Sequence, residues 1–236
     1  MSRLLGRIPA DAPLLHRICS VLLRYPDERT PALLGDVTAA LPAVRRGADR
    51  QRLATATERL SDLSPGAAAQ AYVATFDHTR RRSLHLTYYR HGDTRARGMA
   101  LLALKHAYRQ AGHPPPEREL PDYLPLMLEF ASVAPAPGRR VLMQCRSGLE
   151  LLRRALHETG KETAVPYAAV LDTVCAGLPE LGPRQREKLR RLAAEGPPEE
   201  QVGLEPFAPP FSSALTEPFA PPDFLSSPAH LTGESR

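Results

Sequence analysis

Apolar residues recur at helical spacing along most of this chain, and proline or glycine interrupts each run before it becomes long. The first run, residues 13–25, carries Leu15, Ile18 and Leu22 on one helix face and ends at Pro26. No segment alternates apolar and polar residues as a half-buried strand does. Ala and Leu are frequent while Val, Ile and Thr are sparse, a balance that favours helix. The sequence therefore predicts an all-α fold, a single helical bundle domain of nine or ten helices.

Two of the predicted helices are longer than the others. The first runs from Arg95 to Ala111 and is ended by Gly112. The second is a long helix from Arg139 to His157, whose apolar residues recur at steps of three and four. Both are expected to bury one face against the bundle.

The chain divides into three parts by composition. We expect a flexible N-terminus over residues 1–12, an all-helical domain over 13–196, and a Pro-, Ser- and Glu-rich tail over 197–236. The tail repeats EPFAPP at 205–210 and 217–222 and holds few residues of core type, so it is predicted to be disordered. An alternative is a docking tail whose phenylalanines act as apolar anchors.

Charge and cysteine content narrow the class of protein. The formal net charge is +5, and because residues after 200 sum to −3, the first 200 residues carry +8. The bases are spread over many helices, which favours a solvated surface over a nucleic-acid stripe. Three distant cysteines without a C-x-x-C pair suit a reducing compartment. With no signal peptide and no run long enough to cross a membrane, we expect a cytoplasmic protein with no stable membrane association.

The segment from Tyr72 to Gly98 concentrates six Arg, three His and two Asp among four aromatic residues. Its histidines lie six or seven residues apart, whereas helical metal sites use spacings of three or four, so no metal site is predicted. No nucleophile elbow or phosphate-binding loop is present, which argues against an enzyme and against catalytic residues. A nucleic-acid patch stays a less favoured alternative, because no recognised module is visible.

A second window, Glu117 to Glu129, sums to −3 within a basic body. Tyr123, Leu124 and Met127 are interleaved with its acids. We interpret the window as an apolar groove with an acidic rim that suits a basic amphipathic helix. The alternative is that Asp122 complements a helix N-terminus and Met127 belongs to the core.

Four blocks in order, YVATFD, SLHL, HGDTRARG and ELPDYLPLMLEF, resemble the NarJ family of nitrate reductase assembly chaperones, part of the wider TorD-like group. The resemblance covers at least Leu14 to Leu156. It implies a helical chaperone with no catalytic turnover and no cofactor of its own. Residues 88–90, Tyr-Tyr-Arg, depart from the family's pattern, which commonly has an acidic and a histidine position before the HGD turn.

The resemblance also implies the partners. The client is the apo catalytic alpha subunit of a respiratory nitrate reductase, bound by its N-terminal segment while molybdenum cofactor and an iron–sulfur cluster are inserted, before membrane docking. Molybdenum cofactor biosynthesis proteins are further candidate partners, and no nucleic acid is expected. The alternatives are a TorD-like chaperone for another molybdoenzyme and a basic nucleic-acid-binding helical protein.

The expected client site combines the family blocks with the acidic window. Burial against aromatic and aliphatic side chains is expected to hold the client, while Glu119, Asp122 and Glu129 steer it. The predicted client-binding residues are Tyr72, Phe76, His85, Asp93, Arg95, Arg97, Glu119, Leu120, Pro121, Asp122, Tyr123, Leu124, Met127 and Glu129.

Local roles follow for a few positions around the HGD turn. Asp93 is expected to cap the helix that Arg95 begins, Gly92 to permit the turn, and Gly98 to permit close helix packing. Arg95 or Arg97 is expected to pair with Asp77 or with an acid of the ELPD loop.

Overall fold

Eleven α-helices make up residues 8–196, the part of the chain that the computed structural model describes. No strand occurs in this part, so the predicted all-α fold is confirmed. The predictions for residues 1–7 and for the tail after 196 lie outside the described residues. The helices are α1 Ala12–Leu22, α2 Thr30–Ala40, α3 Gly47–Ser61, α4 Pro65–Phe76, α5 Tyr88–His91, α6 Arg95–Gln110, α7 Leu124–Val133, α8 Pro135–Gln144, α9 Arg146–Glu158, α10 Val165–Ala176 and α11 Pro183–Glu195.

Proline sets most of the helix starts. Seven of the eleven helices have proline in the first two positions, where the missing N–H has no intrahelical partner to lose. The abundance of proline in this chain is thus compatible with a helical fold.

The core lies where α1 and α10 meet their neighbours. α1 packs mainly against α7, and α10 packs against α3, α9 and α1. Ile18, Leu53, Leu128 and Leu171 are almost fully buried in this shared core. Asp11 is also buried, and its carboxylate accepts a hydrogen bond from the Arg45 N–H at 2.9 Å. The helical body therefore starts slightly before the predicted residue 13.

The predicted single helix from Arg139 to His157 is wrong. The chain turns at Cys145, where φ is −97° and ψ is 14°, and two helices, α8 and α9, result. The break allows α8 to pack on α7 while α9 packs on α10, which one straight helix could not do. The period of three and four residues continues across the break, so the sequence pattern could not show it.

Two glycines near the site have specific roles. Gly92 has φ +55°, a conformation that L side chains rarely adopt, and it ends α5 as predicted. Gly98 does not mediate close packing, because a Cβ there would meet no atom within 4 Å. Close contact occurs instead at Gly148 of α9, where a Cβ would lie 2.5 Å from the Leu86 carbonyl oxygen.

Candidate functional site

A cleft of about 390 Å³ opens between the C-terminal end of α4, the loop 79–87, α5, the start of α6 and the residue before α7. Its floor is aromatic and its rim carries both signs of charge. The lining residues are Tyr72, Phe76, Asp77, Thr79, Arg80, Ser83, Leu84, His85, Tyr88, Asp93, Arg97 and Tyr123.

Helix α4 supplies the aromatic floor. Tyr72 and Phe76 are one turn apart and lie on the same face, with ring centroids 4.8 Å apart. The Tyr72 hydroxyl donates to the Leu23 carbonyl at 3.2 Å and lies 3.3 Å from the Tyr123 hydroxyl. Tyr25, 53% exposed, meets the Tyr72 ring edge-on at 5.3 Å. Aromatic surface thus extends from the cleft to the exterior.

Two short loops that are distant in sequence join at the wall of the cleft. The Leu124 N–H donates to the Leu84 carbonyl at 2.9 Å, and the Leu86 N–H donates to the Asp122 carbonyl at 3.1 Å. His85 and Tyr123 form an isolated antiparallel bridge between these bonds. The SLHL and ELPD blocks are therefore parts of one structure.

Asp122 is fully buried behind this bridge. Its carboxylate accepts hydrogen bonds from the Thr87 hydroxyl at 2.5 Å and from His85 Nδ1 at 3.1 Å, and it lies 3.7 Å from the Arg97 guanidinium. Burial by itself raises the pKa of Asp122, but these hydrogen bonds and the charge of Arg97 outweigh burial and hold the pKa below its usual value. The carboxylate stays ionised and positions His85, Thr87 and Arg97 from inside.

His85 reaches the cleft because Asp122 orients it. Its Nδ1–H donates to the carboxylate, which leaves Nε2 unused by that bond, and its side chain is 36% exposed. The ring tilts over Tyr123, with centroids 5.5 Å apart. Burial raises the pKa of both Tyr72 and Tyr123, so their hydroxyls remain protonated and can donate hydrogen bonds.

Asp93 has a different local role from the one predicted. The residue before α6 is Thr94, and the structure shows no side-chain cap there. Asp93 instead pairs with Arg97 at 3.1 Å and with Arg80 at 3.7 Å. The predicted link between Arg97 and an acid of the ELPD loop is present, because Arg97 also reaches Asp122.

The predicted binding residues separate into three groups. Six line the cleft, namely Tyr72, Phe76, His85, Asp93, Arg97 and Tyr123. Arg95, Glu119 and Leu120 are exposed but do not line it. The third group does not line the cleft and is buried or partly buried: Pro121, Asp122, Leu124, Met127 and Glu129.

The residues of this last group offer a client little or no free surface in this structure. Leu124 and Met127 are 0% exposed because they lie in the hydrophobic core. Pro121 and Asp122 are buried as well. Glu129 is partly exposed, but Arg17 and Arg24 already pair with its carboxylate. Of the three acids expected to steer the client, Asp122 is buried, Glu129 is paired with two arginines, and only Glu119 is exposed.

Sequence reasoning omitted six residues of the cleft, among them Asp77 and Tyr88. Asp77 follows the last residue of α4 and is exposed, and its carboxylate makes no hydrogen bond or ion pair within residues 8–196. The signal for Asp77 was its position directly after Phe76 and five residues after Tyr72, the two aromatic residues of one helix face. Tyr88 occupies a position where the sequence departs from the family pattern.

The described residues were compared with what a metal site, a reactive thiol and a membrane helix each require. No group of three or more His, Cys, Asp or Glu side chains there could hold a metal ion. Cys19, Cys145 and Cys175 are buried and unpaired, and burial raises the pKa of the Cys145 and Cys175 thiols to about 12. Over the same residues, no helix is both long and apolar enough to cross a bilayer.

Comparison with known proteins gives the context of this cleft. A family model described as "Nitrate reductase delta subunit" matches residues 41–162, which include the whole cleft. The chain is 36% identical to the "Probable nitrate reductase molybdenum cofactor assembly chaperone NarJ" of Bacillus subtilis, over 74% of this chain and 94% of that protein. It is 40% identical to the "Nitrate reductase-like protein NarX" of Mycobacterium tuberculosis, over 66% of this chain but 23% of that longer protein.

A crystal structure gives independent support for the fold. A protein from Archaeoglobus fulgidus assigned to redox enzyme maturation superposes with a TM-score of 0.52 at 20% identity. The match covers 75% of this chain and 99% of the other. At this identity the similarity concerns the fold alone.

Proposed function

The chain belongs to the NarJ family, and from this premise we propose that it is an assembly chaperone for the catalytic alpha subunit of a respiratory nitrate reductase. The proposed contact is with the N-terminal segment of the apo subunit, in the cytoplasm. The chaperone holds the subunit competent for insertion of molybdenum cofactor and an iron–sulfur cluster before the subunit docks at the membrane. This role requires a binding surface and no catalytic group.

The observation that carries the proposal is the aromatic cleft beside the His85–Tyr123 bridge. Its volume of about 390 Å³ lies near the lower end of the range of roughly 300–1,000 Å³ for ligand pockets. It therefore accepts a few side chains of a peptide. A short amphipathic segment is the client that fits such a site.

Burial of apolar side chains supplies the affinity. Each large side chain that leaves water contributes roughly 1.5–3 kcal/mol, and ordering the peptide offsets part of this gain. Tyr72, Phe76 and Tyr123 offer ring faces, and the oxygen of the Tyr123 hydroxyl can accept a hydrogen bond, since its proton faces the Tyr72 hydroxyl. Micromolar or tighter binding is consistent with two or three such contacts.

We assign the attraction of a basic client to Asp77 and Glu119, and no longer to Asp122 and Glu129. Both are exposed, and Glu119 is close enough to Tyr123 to raise the pKa of that phenol. The other rim charges largely neutralise one another, since Asp93 pairs with Arg97 and Arg80. A cation of the client is therefore expected to approach at the Asp77 side of the cleft.

Calorimetric titration with a synthetic peptide of about fifteen residues from the N-terminus of the alpha subunit tests the proposal. Tyr123→Ala is expected to weaken binding about tenfold or more through lost ring contacts. Asp77→Lys is expected to weaken it about fivefold, with the larger effect at low salt.

Asp36→Lys is the matched control for Asp77→Lys, because Asp36 is exposed on α2, outside the cleft. Its affinity should equal that of the unmodified protein. If the unmodified protein and Tyr123→Ala bind the peptide with equal affinity, the client does not bind in this cleft. Capture of the mature holoenzyme as strongly as of the apo subunit would contradict the chaperone role itself.

A further inference from the structure

Helix α6 exposes two large apolar side chains on a face that no other element within residues 8–196 covers. Met99 is 68% exposed and Leu102 is 61% exposed, more than the other exposed large apolar residues of the described chain. They are three residues apart and lie on the same side of the helix, and exposed Ala103 extends their surface. The buried residues of α6, Leu104 and Tyr108, lie on the opposite side.

The charged side chains on α6 and on its packing neighbours α5 and α8 are all basic. Neither α6 nor its packing neighbours α5 and α8 contain an aspartate or a glutamate. They carry Arg90, Lys105, Arg109 and Arg140, and none of these four forms an ion pair within residues 8–196. Arg90 lines a groove on the α5 side of α6, and Arg140 lines a groove on its α8 side. We call Met99, Leu102 and Ala103, with these four cations, the α6 face.

We propose that the α6 face docks on the surface of an anionic lipid bilayer. The apolar side chains project from a convex helix, so they can enter the boundary between headgroups and acyl chains without a complementary groove. The flanking Arg and Lys side chains are long enough to bury their stems and keep their charges at anionic headgroups. Because none of the three helices carries a carboxylate, they add no charge that anionic headgroups would repel.

A bilayer suits the face better than a nucleic acid does. The phosphates of a polynucleotide would pair with the four cations, but Met99 and Leu102 would stay in water. The attachment predicted here is peripheral and sensitive to salt, because it combines two apolar insertions with screened charges. It involves a surface separate from the client cleft, so it goes beyond the function proposed above.

Flotation of the full chain with vesicles tests the proposal. Binding is expected to vesicles containing about 30 mol % phosphatidylglycerol, with little binding to pure phosphatidylcholine. Met99→Ser/Leu102→Ser is expected to lower the partition coefficient about tenfold, and Arg109→Gln/Arg140→Gln to lower it by a similar factor.

Two controls match these variants. Leu63→Ser removes an apolar side chain that is 37% exposed between α3 and α4. Arg184→Gln/Arg186→Gln makes the same change of net charge on α11. Both controls should bind anionic vesicles as the unmodified chain does.

No binding to anionic vesicles overturns the proposal, and so does equal loss of binding in the test and control variants. Binding of RNA by the α6 face without vesicle binding would overturn it as well. A circular dichroism melt for each variant excludes unfolding as the cause, since all the changed side chains are exposed.

Discussion

At the scale of single residues, Asp122 differs most from its predicted role. It was expected to meet a client, and it lies instead behind the cleft, where it orients His85 and holds Thr87 and Arg97. A buried carboxylate surrounded by donors is a structural element, because leaving those donors unpaired would be costly.

Asp122→Asn is therefore expected to lower the free energy of unfolding by about 1–3 kcal/mol. The amide would present N–H groups to at least one existing donor, His85 Nδ1–H or Thr87. Urea unfolding followed by circular dichroism measures the change. Asp93→Asn is the control, since Asp93 is exposed and its ion pairs are worth about 0–1 kcal/mol. Equal losses in the two variants would show that burial of Asp122 adds nothing.

At the scale of elements, the contact between α9 and the chain segment at the start of α5 holds the wall of the cleft in place. Gly148 lets the Leu86 carbonyl approach α9, while the Leu86 N–H bonds to the carbonyl of Asp122. The position of the His85–Tyr123 bridge therefore depends on a glycine in a helix that does not line the cleft.

Gly148→Ala is expected to destabilise the protein by about 1–3 kcal/mol and to weaken client-peptide binding. The added methyl would lie 2.5 Å from the Leu86 oxygen and 3.2 Å from the Tyr89 ring, so the segment 86–89 must shift. Gly98→Ala is the matched control on α6, where a methyl meets no atom within 4 Å. That control should be neutral or more stable by up to about 1 kcal/mol, because alanine favours helix over glycine. Thermal unfolding and calorimetry give both readouts, and equal stability of the two variants would refute the close contact.

At the scale of the whole molecule, His16 links the stability of the bundle to pH. It lies on α1, next to the backbone of Ala131 on α7 and near the charged Arg139 of α8. Its Nδ1 has no hydrogen-bond partner among residues 8–196. Burial lowers the pKa of His16 from 6.5 to about 4, so the folded protein keeps this imidazole neutral.

The sign of the pH dependence follows from linkage. Between pH 6.5 and about 4 the unfolded chain binds a proton at His16 and the folded chain does not, so stability falls as the pH is lowered through this window. The loss approaches ~3 kcal/mol at the lower end. His16→Gln should flatten this part of the profile, whereas His106→Gln, on an exposed position of α6, should leave it unchanged. Urea unfolding at a series of pH values measures the slope, and an unaltered slope in His16→Gln contradicts the assignment.

The sequence by itself determined the helical class, the bounds of α6 to within one residue and the family. These depend on local periodicity and on proline and glycine at helix ends, which act over a few residues and can be read from the chain. It also indicated Tyr72, Phe76, His85, Arg97 and Tyr123, which the structure brings together in one cleft. Only the tertiary structure decided which residues of the acidic window face solvent. Leu124 and Met127 lie in the shared hydrophobic core, while Asp122 is enclosed by a loop almost forty residues earlier in the chain. Burial of this kind depends on contacts between distant segments, and local spacing carries no information about it.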